Sequence, residues 1–316
     1  MAAVIRARRA TRNAVAISKS VRATRRIVAA CACVVFVSVA GAEVVVTDDT
    51  GARIELKTPA RRVVSLAPHA TEILFAAGAG SAVVGVIKGS DYPAAARTLP
   101  VVGDAFALDI EGILLLTPDL VVTWPFTSPA QVALLRERGI AVYTTHAHTA
   151  DEIAADIERI GTLTGTGRTA TELAASIRAR ARALRDDARG RERMRVFYQI
   201  ADDPPYTING EHPISRAIEL CGGENVFASQ RIAAPQVTTE EVLAAHPHVI
   251  VAGTDGAMRP AWLDRWARFS DLPAARLGNL FVVDANLLHR PGPRFIDGVA
   301  QLCAALDRAR RGRAVL

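Results

Sequence analysis

The sequence predicts an α/β protein of two lobes, each built on a central, mostly parallel sheet, bridged by one long α-helix and enclosing a ligand cleft. Three observations predict it. Strands and helices alternate along the chain, a helix-Pro-strand unit occurs twice about 130 residues apart, and one long amphipathic segment separates the two copies. The repeated unit is EGILLLTPDLVV from Glu111 to Val122 and EEVLAAHPHVIV from Glu240 to Val251, each with a Glu seven residues before a Pro. Pro lacks a backbone N–H and biases the residue before it out of the helical region, so a short helix ends there and a buried strand follows. Two such lobes imply a cleft between them, where ligands usually sit.

Residues 1–42 read as a secretory signal peptide. The segment has no acidic residue and carries Arg6, Arg8, Arg9, Arg12, Lys19, Arg22, Arg25 and Arg26, then the apolar run IVAACACVVFVSVA and the small-residue site Ala40-Gly41-Ala42. About fourteen apolar residues are too few for a bilayer span of roughly twenty. Cleavage is expected after Ala42, placing the mature protein in the periplasm. Almost no apolar region precedes Cys31, which argues against lipidation there. Without these residues the formal charge of +6 becomes −2, from 30 Lys+Arg against 32 Asp+Glu. The basic pI therefore belongs to the leader, and a nucleic-acid partner is excluded.

A first lobe is expected over residues 43–167. It opens with the hairpin VVVTDDTGARIEL, which turns at Asp48-Asp49-Thr50-Gly51. Strand RRVVSLAP, helix TEILFAAGA, strand AVVGVI, the helix over 111–117, strand PDLVVTW, helix PAQVALLRERG and strand IAVYTT follow. Over residues 168–192, Ala170, Leu173, Ile177, Ala181, Leu184 and Ala188 recur at steps of three and four among many charges, which describes one bridging helix. Residues 193–316 form the second lobe: strand MRVFYQI, helix ISRAIELCGG, the helix over 240–246, strand PHVIVAG, a helix around Trp262 to Phe269, strand LFVVDA and a last helix through Cys303. A mature chain of this length suffices for two domains, each with its own core. A helical bridge restricts the lobes to small opening motions. The mature chain keeps two cysteines, Cys221 and Cys303. An even pair in an exported protein favours a disulfide, with two separate buried thiols as the alternative.

At SLAPHATEILFAAGAG, SDYP, PDLVVTW, ELCGGENVF and APQVTTEEVLAAHPHVIV the chain resembles the helical-backbone substrate-binding proteins of ABC importers, and among them the cobalamin-binding members most. The resemblance runs from Val45 to Leu306. It implies a monomeric binding protein that captures a corrinoid, cobalamin as transported ligand with no resident cofactor, and delivers it to a permease dimer in the inner membrane. It implies a Cys221–Cys303 disulfide. It also implies that Glu111 and Glu240 dock one on each half of the permease, where carboxylate–Arg bonds fix orientation and register. Without the resemblance each is simply an acid in a first helical turn, which the macrodipole favours.

The same resemblance assigns Tyr92 and Trp124 as cleft aromatics, and Arg290 as a polar donor. Tyr206, in the PPY segment, is expected to face the cleft from the second lobe. Broad aromatic faces suit a corrin ring because they bury area with little rotamer loss. Where the cobalamin-binding members carry tryptophans this chain has Ala105 and Ala234, Asn286 replaces an aspartate, and Phe106 offers part of the lost surface. These departures imply a weaker or differently shaped corrinoid pocket and keep cobinamide or a related tetrapyrrole open, while a haem or ferric-siderophore carrier on the same fold is the competing reading. Tyr92, His69, His146, His148 and His289 are the candidate axial ligands for haem. Direct zinc capture by the pair His146 and His148, which His69 could join from a neighbouring strand end, has no carboxylate motif or further ligand at fixed spacing to support it. Enzymatic function is not expected: Gly78-Ala79-Gly80 ends a helix, where a dinucleotide fingerprint would open one, and no nucleophile elbow is present.

Overall fold

The structure is a computed structural model that describes residues 43–313. The expected signal peptide and its cleavage site lie outside the described residues. The opening hairpin forms as expected: β1 (Val44–Thr47) pairs antiparallel with β2 (Arg53–Leu56). Asp48 closes its turn by accepting from the Thr50 and Ala52 backbone N–H groups, both at 2.9 Å.

The first lobe holds β3 (Val63–Ser65), β4 (Val83–Val86), β5 (Leu120–Thr123) and β6 (Ala141–Thr144), in the spatial order β4-β3-β5-β6 with every pair parallel. The second holds β7 (Met194–Gln199), β8 (Gly223–Asn225), β9 (Val249–Thr254) and β10 (Leu280–Asp284), in the order β10-β9-β7-β8, again all parallel. Numbered within its own lobe, each sheet reads second-first-third-fourth, so the lobes share one topology.

The sequence repeat has a backbone counterpart. The helices Ile110–Leu115 and Thr239–Ala244 occupy matching places. Thr117 and His246, the residues before the two prolines, are the positive-φ non-glycine residues of the described chain, at 44° and 43°. A side chain in that region is strained. Its occurrence at both equivalent positions shows that the tight exit from helix to strand is a property of the unit.

The bridging helix spans Gly167–Ala188 and buries Ala170, Ala174, Ile177 and Ala181. It does not stand alone. A helix over Ala150–Thr164, absent from the sequence-based reading, packs antiparallel along it through a left-handed turn at Gly165. Close approach requires Gly161, because a Cβ there would collide with Ala170 Cβ. Arg178 clamps the pair by donating from both terminal nitrogens to Glu158, at 2.7 and 2.8 Å. The missed helix carries its own start signal, a capping box in which Thr149 and Glu152 satisfy each other's backbone N–H groups.

This helical pair changes the core. The sequence suggests a separate core for each lobe, but the largest apolar cluster runs from Val63 and Ile73 through Ile157 and Ile177 to Val196 and Leu302. The helix Ala150–Thr164 packs on the first lobe, the helix Gly167–Ala188 packs on the second, and their mutual packing joins the two. Single-lobe clusters lie elsewhere, around Val64, Val121 and Val142 in the first lobe and Phe197, Ile250 and Trp266 in the second. The expected helix around Trp262 is also broken, into an α-helical turn at Ala261–Asp264 and a 3-10 turn at Arg265–Arg268.

Cys221 and Cys303 form a disulfide with Cα atoms 4.8 Å apart, joining the end of the helix Pro213–Leu220 to the last helix, Phe295–Arg313. A closed loop of this size contributes about 4 kcal/mol in the chain-entropy account. Among the described residues no helix is long and apolar enough to cross a membrane.

Candidate functional site

In open parallel sheets ligands bind beyond the carboxyl ends of the strands. Residues that follow those ends in both lobes line one cavity of about 240 Å³. Trp124, Pro125 and Phe126 follow β5, and Thr145 to His148 follow β6. From the second lobe come Asn209, the segment Glu211–Pro213, Ala233 and, beyond β10, Leu288, His289 and Pro291. His69, near the start of the helix Pro68–Ala76 after β3, completes the wall.

Trp124 anchors the apolar side. Its ring meets Phe126 edge to face at 4.9 Å between centroids and His69 at 5.6 Å. Thr123 fixes the turn by donating its hydroxyl to Thr127 Oγ1 at 2.6 Å. Phe126 is 71% exposed. Among the described residues the buried Trp124 indole N–H has no acceptor, an arrangement that costs free energy until a partner arrives.

The polar side is rich in imidazole, since five of the seven histidines line the cavity. His148 Nδ1 donates to the Glu211 carbonyl at 2.6 Å, a direct bond between the lobes. His212 Nδ1 accepts the Ile214 backbone N–H at 3.2 Å. His69 Nε2 bonds Thr145 Oγ1 at 2.8 Å, and His289 Nε2 bonds Tyr198 Oη at 2.9 Å. Burial pushes His69 and His212 down to about 4, with the charge of Arg290 adding to the effect at His69 and those of His289 and His148 at His212.

Both imidazoles are therefore neutral in the fold at pH 7. Each has a folded pKa below its unfolded value, so the unfolded chain binds more protons between the two values. Their contribution to stability is present above about pH 6.5 and lost as the pH falls through about 4. The melting temperature is accordingly expected to fall as pH drops from 7 to 4, with a shallower pH slope in His69→Gln. Scanning calorimetry across that range checks this, and an unchanged slope in the variant would contradict the assignment.

Beside the cavity a buried carboxylate ties the lobes together. Glu72, 2% exposed, lies on the same first-lobe helix as His69. Arg294 donates to both its oxygens, Nε to Oε2 at 2.9 Å and Nη2 to Oε1 at 2.6 Å. Arg290 Nη1 donates to Glu72 Oε1 at 3.3 Å and to Asp91 Oδ1 at 2.6 Å. The hydrogen bond from Arg290 holds the Asp91 carboxyl below its usual range. Burial alone would lower the Arg290 guanidinium, but its bonds and attraction to Asp91 and Glu72 raise it.

Of the six ligand residues expected from sequence, Trp124 lines this cavity. Arg290 lies between the lining residues His289 and Pro291 with its guanidinium committed to Glu72 and Asp91. Tyr92 lies under the Arg294 guanidinium, 3.7 Å from its ring centroid. Phe106 is 95% exposed in the turn closed by Asp104. Tyr206 Oη accepts from Gln236 Nε2 at 2.6 Å within the second lobe, and Asn286 sits in the first turn of the helix Ala285–Leu288. None of these five is among the lining residues. Phe126 and His212, which sequence reasoning passed over, are. Phe126 was accessible through the rule that ligands gather just past strand ends. His146 and His148 lie close, with centroids 4.4 Å apart. Among the described residues, however, no three His, Cys, Asp or Glu side chains are arranged to hold a metal ion. His69 is instead engaged by Thr145.

Glu111 and Glu240 are exposed in the first turns of the matching helices. Neither is the capping residue. Asp109 accepts from the Gly112 N–H, and Thr238 pairs with Glu241.

Residues 63–287 match the sequence pattern of the family described as periplasmic binding protein. The chain belongs to that family. It is 37% identical over 258 residues to a vitamin B12-binding protein of Vibrio cholerae, covering 80% of this chain and 91% of the relative. A Yersinia pestis protein of the same name is 32% identical over 250 residues, covering 77% and 85%. The crystal structure of the periplasmic vitamin B12 binding protein BtuF of Vibrio cholerae superposes with a TM-score of 0.75 at 37% identity, covering 80% of this chain and 98% of that one. The periplasmic heme-binding protein RhuT from Roseiflexus sp. RS-1 superposes at 0.68 with 28% identity, covering 79% and 99%.

Proposed function

We propose that this chain is the substrate-binding component of an ABC importer. Exported and cleaved after Ala42, it captures a corrinoid of the cobalamin type between its lobes and presents it to a membrane permease dimer through Glu111 and Glu240. It acts as a monomer and performs no chemistry on its cargo. The observation that carries this reading is the aromatic wall of Trp124 and Phe126 in an interlobe cavity of a chain 37% identical to a vitamin B12-binding protein. The unpaired indole N–H adds to it, since the amide carbonyls that fringe a corrin ring are acceptors of the kind it lacks. A cavity of about 240 Å³ is small for such a ligand. Part of the ring therefore projects past the exposed rim at Phe126, or the lobes part slightly to admit it.

Trp124→Ala is expected to weaken corrinoid binding by about 1–3 kcal/mol, the range for removing a buried aromatic anchor. Quenching of tryptophan fluorescence by cyanocobalamin gives the wild-type affinity, and equilibrium dialysis gives both. Equal affinities in a folded variant would remove Trp124 from the site. Haem is the second reading, favoured by the five cavity histidines and by the likeness to RhuT.

A further inference from the structure

The cavity imidazoles differ in what their hydrogen bonds leave available, and the difference points to one of them. A backbone carbonyl can only accept, so the bond from His148 Nδ1 to the Glu211 oxygen fixes the proton on Nδ1. With Nδ1 holding the ring proton, the lone pair of His148 lies on Nε2. This is the arrangement by which proteins prepare a histidine to bind a metal, with one ring nitrogen anchored to a carbonyl and the other left basic. His212 is set the opposite way: Nδ1 accepts the Ile214 N–H, so Nε2 holds the proton and cannot coordinate. His69 is buried with Nε2 engaged by Thr145, and His289 Nε2 is shared with the Tyr198 hydroxyl. Among the described residues no side-chain hydrogen bond selects a tautomer of His146.

We propose that His148 Nε2 coordinates the metal of the cargo, and that the cleft is suited to a corrinoid whose cobalt has an open axial position because it carries no nucleotide base of its own. This rests on the corrinoid reading above and narrows it. The step is a ligand substitution: the bond from cobalt to an axial water breaks, the bond from cobalt to Nε2 forms, and the water leaves. No proton is released, because Nδ1 keeps its hydrogen on the Glu211 carbonyl, and no electron is transferred. Since that carbonyl belongs to the second lobe and His148 to the first, coordination also strengthens a bond that holds the lobes together.

The test uses the mature protein and cobinamide reduced to the cobalt(II) state, read by electron paramagnetic resonance. An axial nitrogen splits the cobalt lines into triplets, and protein labelled with nitrogen-15 in its histidines must turn them into doublets, which assigns the nitrogen to the protein. His148→Ala is expected to remove the splitting and weaken cobinamide binding by at least about tenfold. His146→Ala is expected to keep the splitting, and added imidazole to restore it as unlabelled triplets in His148→Ala. Cobinamide bound by wild-type protein without nitrogen splitting, or with splitting that survives His148→Ala, overturns the assignment and leaves the corrinoid reading intact. Failure of any corrinoid to bind overturns both.

Discussion

Reversing both repeated carboxylates, Glu111→Lys with Glu240→Lys, is expected to abolish permease association and ligand uptake while leaving ligand affinity within about twofold of wild type. The two residues sit in matching helices of lobes that share one sheet order, away from the cavity lining. Exposed carboxylates contribute little to stability. Both helix starts are satisfied by neighbours, Asp109 in one and the Thr238–Glu241 box in the other, so folding does not need the two charges. The loss of a favourable acid at each helix start costs only about 0.3–1 kcal/mol. At an interface that pairs each acid with arginine, the reversal converts attraction to repulsion and blocks docking. Uptake by vesicles carrying the cognate permease, beside calorimetry of ligand binding, measures both halves. Normal uptake by the double variant would show that these glutamates serve only as helix-start residues.

Glu72→Ala is expected to produce the largest loss of stability of any single substitution near the cleft, about 3–5 kcal/mol. Removing one partner of a buried ion pair leaves the other charge uncompensated, which costs far more than the pair contributes when intact. Here one carboxylate receives three hydrogen bonds from Arg290 and Arg294, and both arginines are mostly buried. For a chain of this size, a 3 kcal/mol loss lowers the melting temperature by roughly 6–12 °C. Glu72→Gln separates charge from packing. It keeps the shape but not the anion, so most of the loss should remain. Because the carboxylate belongs to the first lobe and both arginines to the second, amide exchange is expected to quicken around Glu72, Arg290 and Arg294 first. A melting temperature within about 2 °C of wild type would show that Asp91 and solvent suffice for the arginines.

Local rules made much of this legible. Proline before an apolar run gave both helix-to-strand exits, and the left-handed Thr117 and His246 show how tight those exits are. Steps of three and four gave the bridging helix, and alternation gave the hairpin. Features that depend on distant partners escaped. Glu72 and Arg294 lie 222 positions apart, and nothing local in either segment signals the other. Three-residue β8 is too short to show a period. The helix Ala150–Thr164 was missed despite its capping box, and with it the reason the two lobes share a core. The resemblance pointed to cleft aromatics, of which Trp124 lines the cavity, but the imidazole lining emerges only when the segments after β3, β6, β7 and β10 are brought together.

The most direct test of the account is titration calorimetry of residues 43–316 with cyanocobalamin, cobinamide and hemin in parallel. One-to-one binding of a corrinoid, more tightly than hemin, is the expected result. One-to-one binding of hemin with no heat from either corrinoid would contradict it and assign the cavity and its histidines to haem.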